Sequence, residues 1–225
     1  MTDKINDDKQ GPKHGLQNTI NAQKPAFDYT FNYNAVPPQA PRKGNRFSLW
    51  LGRSLLRLMG WRLQGQLPNY PKLILAALPH TSNWDFILAM LTVLATGVRL
   101  SYLMKKEAFF WPVGGLFKWL GGVPIERSKT RGIVEDLAAW LNQQEQAWIA
   151  ITPEGTRQKV DKLKTGFIRL AWETNTPVML IAWDYPSKSL VFEKVWNLTG
   201  DFDADCEAIT QYINNRYQGR NLDWQ

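Results

Sequence analysis

The strongest constraint on the fold of this chain is a short apolar run, residues 73–78, that ends at Pro79. Six apolar residues closed by a proline predict a buried strand. His80 follows at once, so its imidazole is expected at the carboxyl end of that strand, where open α/β sheets bind their ligands. The only other histidine, His14, lies in a polar segment. Proton transfer by an imidazole near neutral pH would therefore depend on His80.

The residues after His80 can be interpreted in more than one way. Asp85 lies five positions further on and can form a histidine–carboxylate pair. Ser82 and Asp85 also have the spacing of a capping box, in which the carboxylate bonds back to the serine N–H at the start of a helix. A histidine beside a proline can also serve only to satisfy a loop carbonyl. From these residues alone, the catalytic and the structural interpretations both stay open.

Strands alternate with helices along the rest of the chain, and 225 residues suit one large domain. The pattern predicts an α/β fold with a central, mostly parallel sheet flanked by helices. The predicted strands are 73–78, 100–104, 123–126, 147–152, 178–183 and 189–195. The predicted helices after the first strand are 86–98, 111–120, 130–146, 163–175 and 201–217.

Two segments precede that domain pattern. Residues 1–45 are polar and proline-containing, their apolar residues show no period, and they are expected to form a disordered or loosely attached tail. This segment lacks the apolar core of a secretory signal peptide, so export is not indicated. Residues 46–62 predict an amphipathic helix with three arginines opposite an apolar face, which is typical of a helix lying on a membrane surface. A helix packed on its own domain is the alternative.

The net charge of +7 is concentrated in one region. No acidic residue occurs between Asp28 and Asp85, whereas seven basic residues do: Arg42, Lys43, Arg46, Arg53, Arg57, Arg62 and Lys72. Such a basic block indicates an anionic partner, either anionic lipid or nucleic acid. The arginines of the predicted helix share it with a continuous apolar face, and no aromatic-plus-basic RNA motif occurs, so nucleic acid is disfavoured.

Two other loops carry residues suited to an anionic ligand. Residues 153–157, PEGTR, follow a predicted strand, and Gly155 there permits close backbone approach. Arg157 offers a planar fork that matches phosphate or carboxylate. Residues 121–127, GGVPIER, place Arg127 just past another strand. A tight turn with a surface ion pair, and a solvated cation at Arg127, are the structural alternatives.

Several familiar types of site are absent from the sequence. It contains no G-x-S-x-G nucleophile elbow, no G-x-G-x-x-G fingerprint and no G-x-x-x-x-G-K-[ST] phosphate loop. Cys206 is the single cysteine, which excludes an internal disulfide and a cysteine-based zinc site, and two histidines argue against a structural metal.

Four blocks occur along the chain: PHTSNWD (79–85), GGVPIER (121–127), PEGTR (153–157) and TPVMLIAWDY (176–185). In order and spacing they resemble those of the glycerolipid acyltransferases. The nearest likeness is to small bacterial enzymes of the 1-acyl-sn-glycerol-3-phosphate acyltransferase type, and it covers about residues 46–185. The first block of that family has asparagine before the histidine, where this chain has Pro79.

This resemblance implies a mechanism without an acyl-enzyme. His80 would be the general base for the acceptor hydroxyl, and Asp85 would fix its tautomer. The donor would be acyl-CoA or acyl carrier protein as a co-substrate, with no cofactor and no metal. The acceptor would be a lysophospholipid, 1-acyl-sn-glycerol-3-phosphate, and the product phosphatidic acid. An acyltransferase for another lysolipid, such as a lyso-ornithine lipid, and a non-catalytic membrane-binding homologue are the alternatives.

The resemblance also implies the binding residues and the location. Arg127 and Arg157, with Lys105, would hold the acceptor phosphate. Gly155 and Thr156 would shape that pocket, and Glu154 would orient the arginines. Residues 46–225 would form the acyltransferase domain, with 46–62 as its membrane-surface helix. The protein is thus expected to be peripheral, at the cytoplasmic face of the bacterial inner membrane.

Overall fold

The computed structural model describes residues 30–125 and 132–224, apart from the side chains of Lys105, Pro124, Ile125 and Trp224. Single 3-10 turns lie at Lys106–Ala108 and Leu222–Trp224. The helices and strands in chain order are α1 (Arg46–Leu58), β1 (Arg62–Gly65), β2 (Lys72–Leu78), α2 (Asn83–Thr96), β3 (Leu100–Lys105), α3 (Val113–Trp119), β4 (Gly122–Ile125), α4 (Ile133–Gln143), β5 (Ala147–Ile151), α5 (Gly166–Thr174), β6 (Val178–Asp184), β7 (Ser189–Trp196) and α6 (Phe202–Asn214).

The strands form one seven-stranded sheet in the order β1-β7-β6-β2-β5-β3-β4. All neighbouring pairs are parallel except β6 and β7, which are antiparallel. The predicted α/β fold with a mostly parallel sheet is therefore confirmed, and the predicted elements recur with their ends displaced by a few residues. β1 was not predicted, because its four residues, RLQG, contain no apolar run.

The sheet is covered on both faces, which explains why β2 after Lys72 and β6 before Asp184 are continuously apolar. Leu73, Leu75 and Ala77 face one buried cluster, which includes residues of α1 and α2. The alternate residues of β2 face the other, which includes residues of α4, α5 and α6. β2 thus lies at the centre of the domain, and the loop that follows it emerges at the middle of one sheet edge.

The segment ahead of α1 differs from the expected loose tail. Residues 1–29 lie outside the described residues, but residues 30–45 pack on the domain. Phe31, Val36 and Ala40 are buried, and isolated bridges tie Thr30 to Gln64 and Arg42 to Val98. These few apolar residues have no regular spacing, so a search for periodicity does not detect them.

Helix α1 packs on α2 through a glycine. A Cβ on Gly52 would lie 2.4 Å from the backbone nitrogen of Ala95, so only glycine permits this approach. Arg53, expected on the same polar side as Arg46 and Arg57, is partly buried; its Nε donates to the Ala95 carbonyl at 3.1 Å. The opposite side of α1 exposes Phe47 and Trp50. The helix is therefore both packed on the domain and apolar on its outer side.

Candidate active site

The ends of three parallel strands bring the site together. β2 is flanked by β5 and β6, and it is parallel to both. The loop with His80 follows β2, and the loop 153–157 follows β5. Tyr185 follows β6 directly. As expected from the sequence, these loops meet at the carboxyl ends of the strands.

His80 and Asp85 form a pair. The distance from His80 Nδ1 to Asp85 Oδ2 is 3.0 Å. Asp85 is fully buried, whereas 15% of the His80 side chain is exposed. An ionised carboxylate only accepts hydrogen bonds, so the proton of the neutral imidazole is assigned to Nδ1. The lone pair then lies on Nε2, where a partly exposed imidazole can take up a proton from a substrate.

Asp85 also caps helix α2. Its Oδ2 accepts the backbone N–H groups of Thr81 at 2.9 Å and Ser82 at 2.8 Å. Ser82 is the N-cap residue of α2, and its side chain completes a capping box with Asp85. The two interpretations that the sequence left open are therefore compatible, because one carboxylate oxygen serves the cap and the imidazole at the same time.

Glu154 contacts the histidine rather than the arginines. Its carboxylate oxygens lie 2.9 Å and 3.2 Å from the His80 backbone nitrogen, whose N–H they accept. No described arginine pairs with it, so the expected orienting role is not seen in the described part of the chain. The pKa of Glu154 is raised to about 7, mainly by burial and in addition by the nearby charge of Asp85. The hydrogen bond from the His80 N–H and the charge of His80 act in the opposite direction and lower this pKa. Glu154 therefore holds the backbone of His80 in place.

Arg157 reaches the start of α2. Its guanidinium donates to the Oδ1 atom of Asn83, the first residue of that helix. The side chain is exposed, and no carboxylate among residues 30–125 and 132–224 pairs with it. Gly155 has φ +66°, and a Cβ there would lie 2.6 Å from Lys164 Nζ. Thr156 is exposed at the same turn, so this loop presents a guanidinium and a hydroxyl beside the histidine loop.

Two predicted site residues are not tested by these contacts. Lys105 is the last residue of β3, which lies beyond β5 from β2, and its side chain is not among those described. Arg127 lies outside the described residues. Their role in holding a phosphate stays a prediction.

Two aromatic residues at the end of β6 complete the surroundings of the pair. The hydroxyl of Tyr185 donates to Asp85 Oδ1 at 2.5 Å. The indole ring of Trp183 lies 5.8 Å from the imidazole ring of His80, centre to centre. Both residues belong to the fourth sequence block, but no local signal assigned them a role, because 100 positions separate Tyr185 from Asp85.

The C-terminal segment closes over the histidine loop. Asn221 donates its backbone N–H to Thr81 Oγ1 at 3.2 Å and its side-chain amide to the Thr81 carbonyl at 3.0 Å. The guanidinium of Arg220 lies 5.4 Å from the ring centre of Trp84. This support comes from the far end of the described chain and has no sequence signature of its own.

Known proteins resemble this chain in sequence pattern and in fold. The family model described as Acyltransferase matches residues 62–183, more than half of the chain. Among solved structures, the 1-acyl-sn-glycerophosphate (LPA) acyltransferase PlsC from Thermotoga maritima is similar, with a TM-score of 0.55 and 14% sequence identity over 77% of this chain and 81% of that one. At this identity the likeness concerns the fold. No curated protein matches the chain.

Proposed function

The chain belongs to the acyltransferase family, and on that premise we propose that it moves a fatty acyl group from an acyl thioester to the hydroxyl of 1-acyl-sn-glycerol-3-phosphate, giving phosphatidic acid. The observation that carries this proposal is the pairing of His80 with Asp85 at the carboxyl end of β2. The arginine-bearing loop 153–157 beside it supports an acceptor with a phosphate group. The Thermotoga maritima protein of similar fold is named for the same acceptor.

In the proposed reaction His80 acts as general base. Nε2 takes the proton of the acceptor hydroxyl as the hydroxyl oxygen attacks the thioester carbonyl carbon. Asp85 holds the ring and stabilises the imidazolium that forms. The tetrahedral intermediate then breaks its C–S bond, and the imidazolium returns the proton to the departing thiolate. The products are an ester and a free thiol, and no covalent enzyme intermediate is needed.

Arg157 is proposed to bind the acceptor phosphate. Its guanidinium is exposed, it is held by the neutral amide of Asn83 at the first residue of α2, and no carboxylate in the described part of the chain pairs with it. A guanidinium of this kind can bind a phosphate through two hydrogen bonds. Arg127 and Lys105 remain candidates for the same phosphate on the sequence resemblance.

This assignment is tested by thiol release from acyl-CoA and from acyl-loaded carrier protein with a panel of acceptors. We expect turnover with 1-acyl-sn-glycerol-3-phosphate and little with monoacylglycerol, which lacks the phosphate. Arg157→Gln should raise the KM for the phosphate acceptor by about tenfold to 100-fold, because a charge-assisted hydrogen bond to the phosphate is lost. The KM for the acyl donor should stay within about twofold of wild type.

Lys159→Gln is the matched control, since Lys159 is an exposed cation in the same region. An equal rise in both KM values for Arg157→Gln would instead indicate a structural role for the arginine. Turnover confined to a different lysolipid, such as a lyso-ornithine lipid, would keep the mechanism and replace the acceptor. Equal turnover of monoacylglycerol would reject the phosphate site.

We further propose that the protein works at the cytoplasmic face of the bacterial inner membrane as a peripheral protein. None of the described helices has the length and apolar character needed to cross a membrane. The outer side of α1 exposes Phe47 by 65%, Trp50 by 61% and Leu58 by 83%, next to the exposed cations Arg46 and Arg57. Apolar side chains bordered by arginines suit the interface of an anionic bilayer.

A second exposed apolar group lies next to α1, around α3. Lys43, just ahead of α1, donates to the Trp119 carbonyl, and its ammonium lies 4.7 Å from the Trp119 ring centre. The group therefore extends the apolar surface of α1 and supports docking along both helices. Its members are Phe110, Trp111, Leu116 and Trp119.

Reversing the charges of α1 should release the protein from anionic membranes. We expect the double variant Arg46→Glu, Arg57→Glu to bind phosphatidylglycerol-containing vesicles at least about tenfold more weakly, because each basic residue near such a surface contributes about 1 kcal/mol. Co-sedimentation with vesicles measures this. Arg169→Glu, on α5 at the other face of the sheet, is the control. Unchanged binding of the double variant would exclude α1 as the docking surface.

A further inference from the structure

Tyr185 lies outside the segment that the family model matches and yet contacts the centre of the site. That match ends at residue 183, whereas the hydroxyl of Tyr185 donates to Asp85 Oδ1 at 2.5 Å. The side chain is well fixed. Its backbone N–H donates to the Gln218 carbonyl at 2.9 Å, and its ring packs edge-on against Trp61, with 5.0 Å between ring centres.

We propose that Tyr185 is a positioning residue that sets, through its hydrogen bond to Asp85, how strongly His80 holds a proton. The hydrogen bond fixes the Asp85 carboxylate and takes up part of its negative charge. It thereby weakens the attraction of the carboxylate for an imidazolium at His80. The proposal depends on the proposed function only in that His80 acts as the general base.

The hydrogen bonds of Asp85 explain why one hydroxyl can have this effect. Oδ2 accepts three donors, from His80, Thr81 and Ser82, and Oδ1 accepts Tyr185. A buried carboxylate shares its charge among its donors, so each added donor weakens its attraction for a neighbouring imidazolium. Burial, together with the hydrogen bond to Asp85 and its charge, raises the pKa of Tyr185 well above its usual value. The phenol therefore stays a donor.

Other ionisable groups face the pair from neighbouring elements. Glu154 holds the backbone of His80 from the loop after β5, and its own pKa of about 7 puts its charge change in the same pH range. Arg220, in the C-terminal segment, lies close enough to act electrostatically on Tyr185. A pH–rate profile alone would combine the effects of these groups with that of His80, so the titration of His80 must be followed by itself.

The composition of the chain makes this observation simple. With only two histidines, His14→Gln leaves His80 as the single imidazole, and its ring signals can be followed by NMR across pH. In that background, Tyr185→Phe should raise the titration midpoint of His80 by about half a unit to one unit, because the carboxylate regains charge. The acid limb of the kcat profile should move by the same amount. At acidic pH kcat should fall by about threefold to tenfold, because a smaller fraction of His80 is then unprotonated. Near pH 8 kcat should recover.

Tyr212→Phe is the matched control. It removes a phenol that donates to a different carboxylate, Glu193, at 2.9 Å, and it should move neither the midpoint nor the profile. The Tyr185 shift should persist in a Glu154→Gln background. A His80 midpoint unchanged within about 0.2 unit, or a loss of kcat that is uniform across pH, would overturn the proposal and leave Tyr185 a packing role.

The NMR midpoint needs no turnover, so the proposal can be judged apart from the acceptor. If the acceptor panel shows no activity on phosphate acceptors but the midpoint shifts, the substrate assignment fails and the role of Tyr185 stands. If the panel shows turnover of phosphate acceptors but the His80 midpoint does not move, the substrate assignment stands and the proposed role of Tyr185 fails.

Discussion

Replacement of His80 by alanine should reduce acyl transfer about 10³-fold or more, within the range that a positioned general base contributes. The fold should survive this change. Glu154 binds the backbone N–H of residue 80, which alanine retains, and Asp85 keeps its hydrogen bonds to Thr81, Ser82 and Tyr185. The buried carboxylate is therefore left with three donors, and we expect the free energy of unfolding to change by about 1 kcal/mol or less.

Thiol release measures the loss of turnover, and a urea titration followed by circular dichroism measures stability. His14→Gln is the control, since it removes the other imidazole and should leave kcat unchanged. Turnover of His80→Ala above about one hundredth of wild type would contradict the general-base assignment, which requires a loss of at least about 10²-fold.

Replacement of Asp85 by asparagine should have two large effects at once. An amide NH₂ cannot accept, so asparagine can no longer satisfy donors on both sides of its side chain. If the NH₂ takes the place of Oδ2, the imidazole and the cap N–H groups of Thr81 and Ser82 lose their acceptor together; if it takes the place of Oδ1, the Tyr185 hydroxyl loses its acceptor. In both orientations the negative charge that stabilises the imidazolium is lost. We expect kcat to fall by about 10³-fold or more and the free energy of unfolding to drop by about 2–4 kcal/mol, because Asp85 is fully buried.

Asp205→Asn separates these two effects. Asp205 is also a buried aspartate in the first turn of a helix, α6, and its carboxylate accepts the Thr199 N–H at 3.0 Å. This variant should lose stability and retain full kcat in its folded fraction. If folded Asp85→Asn turned over as fast as Asp205→Asn, the carboxylate would be a helix cap only.

The part of the site that the sequence predicted is the part that local rules determine. An apolar run closed by Pro79 predicted the strand, and strand ends of a parallel sheet meet at one edge, so the loops with His80 and Arg157 were expected together. The capping box of Ser82 and Asp85 was also visible, because it lies within four residues.

The remaining contacts join residues far apart in the chain, and adjacency in sequence was a poor guide to them. Adjacency left open a surface ion pair between Glu154 and Arg157, but the Glu154 carboxylate accepts the His80 N–H instead. The helical wheel of α1 likewise grouped Arg53 with Arg46 and Arg57, because polarity alone does not show that Gly52 brings the helix onto α2 beside Arg53. Asn221 had no signature, and Tyr185, although it lies in the fourth sequence block, carried no signal for its bond to Asp85.

The closure of the site by residues beyond the matched segment has a consequence for how such proteins diverge. Chains that share the matched segment, residues 62–183, can differ in the residues that hold the site from beyond it, here Tyr185, Gln218 and Asn221. Selection can then adjust the working pH of an inherited histidine and aspartate by altering the chain after β6. Members of a family recognised by that segment can thus specialise while the segment itself stays the same.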